Sequence, residues 1–268
     1  NPLIVYGVIT SASIGDLFIA GIVPGLLMSF LMMGTVFLIS QVRGYAGGNA
    51  FHVRALAVSI WNGKYSLMMP VIVLGGIYTG MVTPVEAAVV AVLYALVVAM
   101  LVKRTLTFRG LWDCFTESST VCGGLTIIMG TAVLFGEYMT MNMIPQSLAA
   151  FIIEFVSSKY TLLIIICIFL LIIGTFMETL ATTMILTPIL LPVITTFDID
   201  VIQFGVIMVV TNAIGMLTPP LGLNLFVACN LTGLSLEQVS SQVIPFICAL
   251  ILGLALIAFI PWLSLVLL

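Results

Sequence analysis

The chain has 268 residues, 62% hydrophobic and 6% charged, with a formal net charge of −3 and a mean hydropathy of +1.36. These values exclude a soluble globular domain and point to an integral membrane protein. The apolar runs are helical in length, which argues against a β-barrel, and no basic patch marks a nucleic-acid partner.

The first residues, Asn1-Pro2, fall inside an apolar stretch, so a further N-terminal part is expected before them. Leu3–Ile9 reads as half a helix, Thr10–Asp16 as a polar turn and Leu17–Val42 as a full span. Residues 43–49 form a glycine-rich loop. Phe51–Lys64 carries His52, Arg54, Trp61 and Lys64 among apolar residues and reads as an amphipathic helix in the membrane interface. Ser66–Met81, with Pro70, Gly75 and Gly76, is a short crossing. Thr83-Pro84-Val85-Glu86 places proline at the first helical position and glutamate three residues after threonine, a capping box opening a span that ends at Val102. Phe108–Ser118 is amphipathic, Thr120–Met141 crosses again, and Ile144–Val156 is a short interfacial helix. Glu137 lies near the end of its span and reads as an interfacial anchor.

Tyr160–Phe197 is longer than the roughly 20 residues one span needs, and is interrupted at Glu178–Thr183. Glu178, Thr179, Thr182 and Thr183 cluster there, inside GTFMETLATTMILTPILLP, Gly174–Pro192. An acid at mid-membrane is costly and usually functional. Here it also suits the start of a second half-helix, whose unpaired N–H groups it would cap.

Val201–Leu231 contains TNAIGMLTPPLGLNLFVA. Pro219 and Pro220 remove backbone donors, and Thr218 before them is pushed out of the α region. The helix should stop near Met216 and restart near Gly222. Such a break survives in hydrocarbon only where it is buried in protein or lines a cavity. Thr211, Asn212, Thr218 and Asn224 put oxygens around it, the pattern of a midplane ion or substrate site. Sodium needs several oxygen ligands, which Thr, Asn and backbone carbonyls supply without a buried acid. Glu237–Leu268 is the last span, with Pro245 near its start and Pro261 and Trp262 near its end.

Cys114, Cys122, Cys167, Cys229 and Cys248 show neither pairing nor metal spacing, and His52 is alone, so no metal cluster is expected. No phosphate loop and no nucleophile–base pair is present. If Arg43 faces the cytoplasm, so do Arg54, Lys64, Lys103, Arg104 and Arg109, which leaves Lys159, Asp16, Asp198 and Asp200 outside. That requires Ser66–Met81 to cross and Tyr160–Phe197 to be a re-entrant hairpin. A single through-crossing there would invert everything after it. Cysteines placed at 104 and 198 are therefore expected to react with an impermeant thiol reagent from opposite sides, and same-side labelling would overturn the hairpin.

NPLIVYGVITSASIGDLFIAGIVPG aligns with LNLFVACNLTGLSLEQVSSQVIPF with a one-residue gap. Leu3, Val5, Thr10 and Ser13 match Leu225, Val227, Thr232 and Ser235. Asp16 matches Glu237, and Pro24 matches Pro245. By the orientation above the copies run in opposite senses, as an inverted repeat. The register places a counterpart of Thr218-Pro219-Pro220 just before Asn1. The organisation read from the sequence is 1–42, the end of a first repeat; 43–82, an interfacial arm and a crossing; 83–158, scaffold helices of the second repeat; and 159–268, its transport region.

GIYTGMVTPVEAAVVAVLYALVV, GTFMETLATTMILTPILLP and FGVIMVVTNAIGMLTPPLGLNLFVACNLTGL resemble the large membrane subunit of tripartite ATP-independent periplasmic (TRAP) transporters over nearly the whole chain. The resemblance implies an all-α, inverted-repeat, elevator-type importer of organic acids in the bacterial inner membrane, driven by sodium as coupling ion. It implies no other cofactor. The implied partners are a small four-helix membrane subunit, separate or fused upstream, a periplasmic substrate-binding protein, and membrane lipid. Implied substrates are sialic acid or C4-dicarboxylates. The family often has Met-Asp where this chain has Met177-Glu178. The expected site is Gly174, Glu178, Thr179, Thr182, Thr183, Thr211, Asn212, Gly215, Thr218, Pro219, Pro220, Gly222 and Asn224, joined by Asn1 and Pro2. Thr183, Asn212, Thr218 and carbonyls near Gly174 and Gly215 are expected to hold sodium. The alternative is an ion channel or pore subunit, but pores need polar stripes along several helices. An intramembrane enzyme would need a catalytic constellation that the chain does not display.

Overall fold

The computed structural model describes residues 2–45, 52–143, 147, 156 and 158–268. Among them every regular element is helical: α1 (Pro2–Thr10), α2 (Ile14–Ala20), α3 (Ile22–Arg43), α4 (Val53–Tyr78), α5 (Pro84–Val97, continued as a π-turn over Val98–Val102), α6 (Phe108–Met141), α7 (Lys159–Gly174), α8 (Thr179–Thr196), α9 (Val201–Gly215), α10 (Leu223–Thr232), α11 (Leu236–Phe259) and α12 (Trp262–Leu265). Five stretches are long and apolar enough to cross a membrane: Ile14–Arg43, Val53–Tyr78, Pro84–Val102, Thr179–Thr196 and Leu236–Phe259. Two units are distinguished. One holds the residues up to Arg43 with Ile127–Leu268, the other Gly44–Thr126.

The first unit is built around α9, which packs against α7, α8, α11, α1 and α2. Phe204, Val206, Ile207, Met208 and Ile214 are all buried, as expected of a helix apolar on every side. Lipid is as apolar as leucine, so close packing and hydrogen bonds must hold such helices together. Along α9 the closest approach is at Gly205. A Cβ there would fall 2.6 Å from the Tyr6 ring, so only glycine admits α1 at this depth. The Tyr6 hydroxyl then donates to the Val201 carbonyl at 2.7 Å. Farther along, the Gln203 amide donates to the Ile257 and Ala258 carbonyls, both at 3.2 Å, and ties α9 to the end of α11.

α7 and α8 run in opposite senses. Lys159 and Tyr160, at the start of α7, line one cavity of about 190 Å³ together with Asp198, Ile199 and Asp200, which follow α8. The chain thus returns to the end it left. The interruption is earlier than expected, at Thr175–Glu178, and Thr179, Thr182 and Thr183 belong to the first turns of α8. The cause is local: Glu178 is the N-cap, its carboxylate accepting from the N–H groups of Leu180 and Ala181 at 2.8 and 3.2 Å.

The two aligned segments share local geometry. α1 and α10 are short helices of 9 and 10 residues. The hydroxyls of Thr10 and Thr232 donate to carbonyls four residues back. Ser11 and Gly233 follow with φ of 57° and 71°, and Ser13 and Ser235 cap the next helices. The left-handed residue is a helix stop that glycine adopts without penalty.

In the second unit, Val53–Tyr78 is one helix, so the expected interfacial helix and separate crossing are corrected. Lys64-Tyr65-Ser66 carries no stop, and Pro70 is absorbed within the helix at the loss of one backbone donor. Phe108–Met141 is likewise one helix, where two were expected, and the boundary between the units falls within it. The capping box of α5 forms as read: Glu86 N–H donates to the Thr83 hydroxyl at 3.3 Å, and Thr83 N–H to the Glu86 carboxylate at 2.7 Å. The expected helix Ile144–Val156 lies outside the described residues except at 147 and 156, as do Asn1 and the side chain of Glu137.

Candidate functional site

α9 stops at Gly215 and α10 begins at Leu223, with Met216 and Gly222 as the caps. The break falls where the proline pair requires it. Its backbone groups are met locally: Met216 N–H donates to Asn212, Thr218 N–H to Gly215, Gly222 N–H to Thr218 and Asn224 N–H to Met216. Gly222 is obligatory, since a Cβ there would fall 2.7 Å from the Met216 carbonyl oxygen. Pro219 and Pro220 line a largely apolar cavity of about 320 Å³, with Leu171, Thr175, Phe176 and Thr218 in its wall.

The end of α7 meets the end of α9 through two glycines. A Cβ on Gly215 would lie 2.7 Å from the Gly174 Cα, and a Cβ on Gly174 would lie 3.1 Å from the Asn212 carbonyl oxygen. Two helix C-termini therefore abut, each bringing partial negative charge from its carbonyls. The start of α8 joins them, because the Thr179 hydroxyl donates to the Met216 sulfur at 3.1 Å. The sequence-expected pairing of the Gly174–Thr183 and Thr211–Gly222 segments is what the structure brings together.

Asn212 stands at this junction, fully buried, and neither its Oδ1 nor its Nδ2 has a hydrogen-bond partner among the described residues. A buried polar group left unpaired costs about 1–3 kcal/mol. The threonines of the two segments have spent their protons. Thr183 donates to the Thr179 carbonyl at 2.7 Å, Thr211 to Ile207 at 2.6 Å, Thr218 to Ile214 at 2.8 Å and Thr182 to Glu178 at 3.1 Å. With the proton committed backwards, each hydroxyl keeps only acceptor lone pairs. Oxygen acceptors beside two helix C-termini suit a cation, and the Asn212 Oδ1 is one of them, while its Nδ2 is a donor that such an ion leaves unanswered.

The other expected residues are placed as follows. Glu178 is exposed and holds its own helix end. Asn224 is exposed in the first turn of α10, with its backbone, not its side chain, closing the break. Pro2 opens α1, which packs against α8 and α9, and Asn1 lies outside the described residues. Sequence reasoning missed Thr187, which is fully buried with its hydroxyl toward the Met208 sulfur at 3.6 Å. Thr179, Thr183 and Thr187 recur every four residues on α8, and that spacing was the signal to follow. Buried Thr175 and the sulfur of Met216 were also missed, because neither belongs to a recognisable pattern.

Residues 1–263 match the family described as "Tripartite ATP-independent periplasmic transporter, DctM component". Relatives include the isethionate TRAP transporter permease protein DctMQ of Oleidesulfovibrio alaskensis, 42% identical over 97% of this chain and 41% of the relative. The C4-dicarboxylate TRAP transporter large permease protein DctM of Pseudomonas aeruginosa is 38% identical, over 99% of this chain and 62% of the relative. The sialic acid TRAP transporter large permease protein SiaM of Vibrio cholerae is 35% identical over the same shares. The chain thus spans 41 to 62% of the length of these three relatives.

Proposed function

The chain belongs to the DctM component family of tripartite ATP-independent periplasmic transporters, and from that premise we propose that it carries one half of the transport site of a sodium-coupled permease. As a family member it is a multi-pass permease subunit of the bacterial inner membrane, not an enzyme. The observation carrying the sodium proposal is the orphaned Asn212 amide between two abutting helix C-termini. Sodium there takes Asn212 Oδ1, the hydroxyls of Thr183 and Thr218, and carbonyls near Gly174 and Gly215. The cargo is a small organic anion. The three relatives are named for isethionate, C4-dicarboxylates and sialic acid, which share a negative charge but little else.

The antiparallel pair α7–α8 is read as a re-entrant hairpin whose turn meets the broken helix α9–α10, and α1 with α2–α3 as the matching end of an inverted first repeat. In an elevator motion the body carrying the site slides as one piece. The glycine contact at Gly174 and Gly215 keeps its two walls together. A small membrane subunit and a periplasmic binding protein that delivers the substrate complete the proposed system.

The test is uptake by the full permease in proteoliposomes, supplied with its binding protein and titrated with sodium. Asn212→Leu, Thr183→Val and Thr218→Val each keep the shape and remove an oxygen. A hydrogen-bond-sized contact to a charge contributes about 1.5–3 kcal/mol. The half-saturating sodium concentration is therefore expected to rise roughly tenfold or more in each, with insertion unchanged. Wild-type sodium dependence in all three would rule out side-chain coordination at this junction.

A further inference from the structure

We propose that Lys64 and Lys103, with the aromatic rings between them, form a site for the phosphate headgroup of an anionic membrane phospholipid. All the residues belong to the second unit. On α4, the Lys64 ammonium sits 4.0 Å from the centroid of the Trp61 ring and 5.1 Å from that of Tyr65. Lys103, at the end of the π-turn after α5, brings its ammonium to 5.9 Å from the same Tyr65 ring. The Tyr94 hydroxyl donates to the Tyr65 carbonyl at 2.8 Å and fixes α5 against α4 at this point. Two cations thus converge on one ring. The two centroid distances cap their separation at 11.0 Å.

Neither ammonium is ion-paired among the described residues. Glu86 is committed to its capping box at the far end of α5, about 26 Å from Lys103 at 1.5 Å per helical residue. Ring faces attract each cation but do not offset the repulsion between the two. An anion between them does. A lysine ammonium has three donors, and a ring contact leaves the others to reach phosphate oxygens. Trp and Tyr favour the headgroup level of a bilayer, and Lys near an anionic leaflet is attracted to it. The surroundings choose a lipid over free phosphate: Leu67, Val97 and Leu101 are exposed, and α4 has no buried residue. Acyl chains running from the headgroup would cover that surface, and inorganic phosphate has none to offer.

The experiment uses the full-length permease, with the subunits that copurify, and native mass spectrometry to titrate retained phosphatidylglycerol. Each lysine contributes about fivefold in affinity near an anionic surface. Lys64→Gln/Lys103→Gln is therefore expected to weaken retention roughly 25-fold, and Lys64→Gln alone about fivefold. Arg54→Gln/Arg109→Gln removes the same charge elsewhere in the unit and is expected to leave retention unchanged. Binding of zwitterionic phosphatidylcholine should not respond to either change, and millimolar inorganic phosphate should not displace the lipid. Equal losses in the two double variants would overturn the site in favour of net charge alone. Displacement by phosphate would make it a free-anion site. Loss of a protein subunit with phosphatidylglycerol retained would show a protein partner instead, and each of these results refutes the proposal.

Discussion

Gly215→Ala is expected to abolish sodium-dependent uptake while leaving the protein inserted in the membrane. The added Cβ would lie 2.7 and 2.8 Å from the Cα and carbonyl carbon of Gly174 and 3.0 Å from the Leu171 carbonyl oxygen. All three are backbone atoms, so no rotamer change can make room. Carbon atoms prefer about 3.5–4.0 Å, so α7 and α9 must part by roughly 1 Å at the position where their carbonyls converge. Overpacking of this kind costs about 1–3 kcal/mol, and at least a tenfold loss of sodium affinity corresponds to about 1.4 kcal/mol. Gly174→Ala meets its neighbours less closely, at 3.1 to 3.3 Å, and should be milder. Gly34→Ala, in α3 with nothing within 4 Å, should be silent. The readout is sodium-titrated uptake beside membrane yield and size-exclusion profile for all three. A Gly215→Ala protein with wild-type sodium dependence would mean that the two helix ends do not form the site.

What the sequence made legible was local. Pro219 and Pro220 place the break within a residue of its observed position, and Thr83 with Glu86 builds the predicted capping box, because both depend on backbone chemistry a few residues wide. The shared caps of the two aligned segments were legible for the same reason, through Thr10 and Thr232, Ser13 and Ser235. What escaped depends on residues far apart in the chain. Nothing near Gly205 announces that it receives Tyr6, and Asn212 looks like any polar residue at a helix end until the fold leaves its amide unpaired. The joined helices Val53–Tyr78 and Phe108–Met141 were split because changes of amphipathicity at Tyr65 and Thr120 were read as ends, although neither place has a stop residue. Glu178 was read correctly as a cap, but its reach to Leu180 and Ala181 moves the turn upstream.

The cap also bears on how an anion is held. No Lys or Arg belongs to the junction described here, so positive potential must come from helix N-termini or from bound cations. The N-terminus of α8 is already answered by the Glu178 carboxylate. The N-terminus of α10, at Gly222, has no side-chain cap. One helix end is worth about half a charge, too little to offset a carboxylate or sulfonate, so we propose that sodium completes the substrate site of this half. The most direct measurement is calorimetry of substrate binding to the full permease in sodium and then in choline. The account predicts that affinity falls sharply, by at least roughly tenfold, when sodium is replaced. Equal affinity in both salts would contradict it and assign the charge compensation to a basic side chain outside this chain.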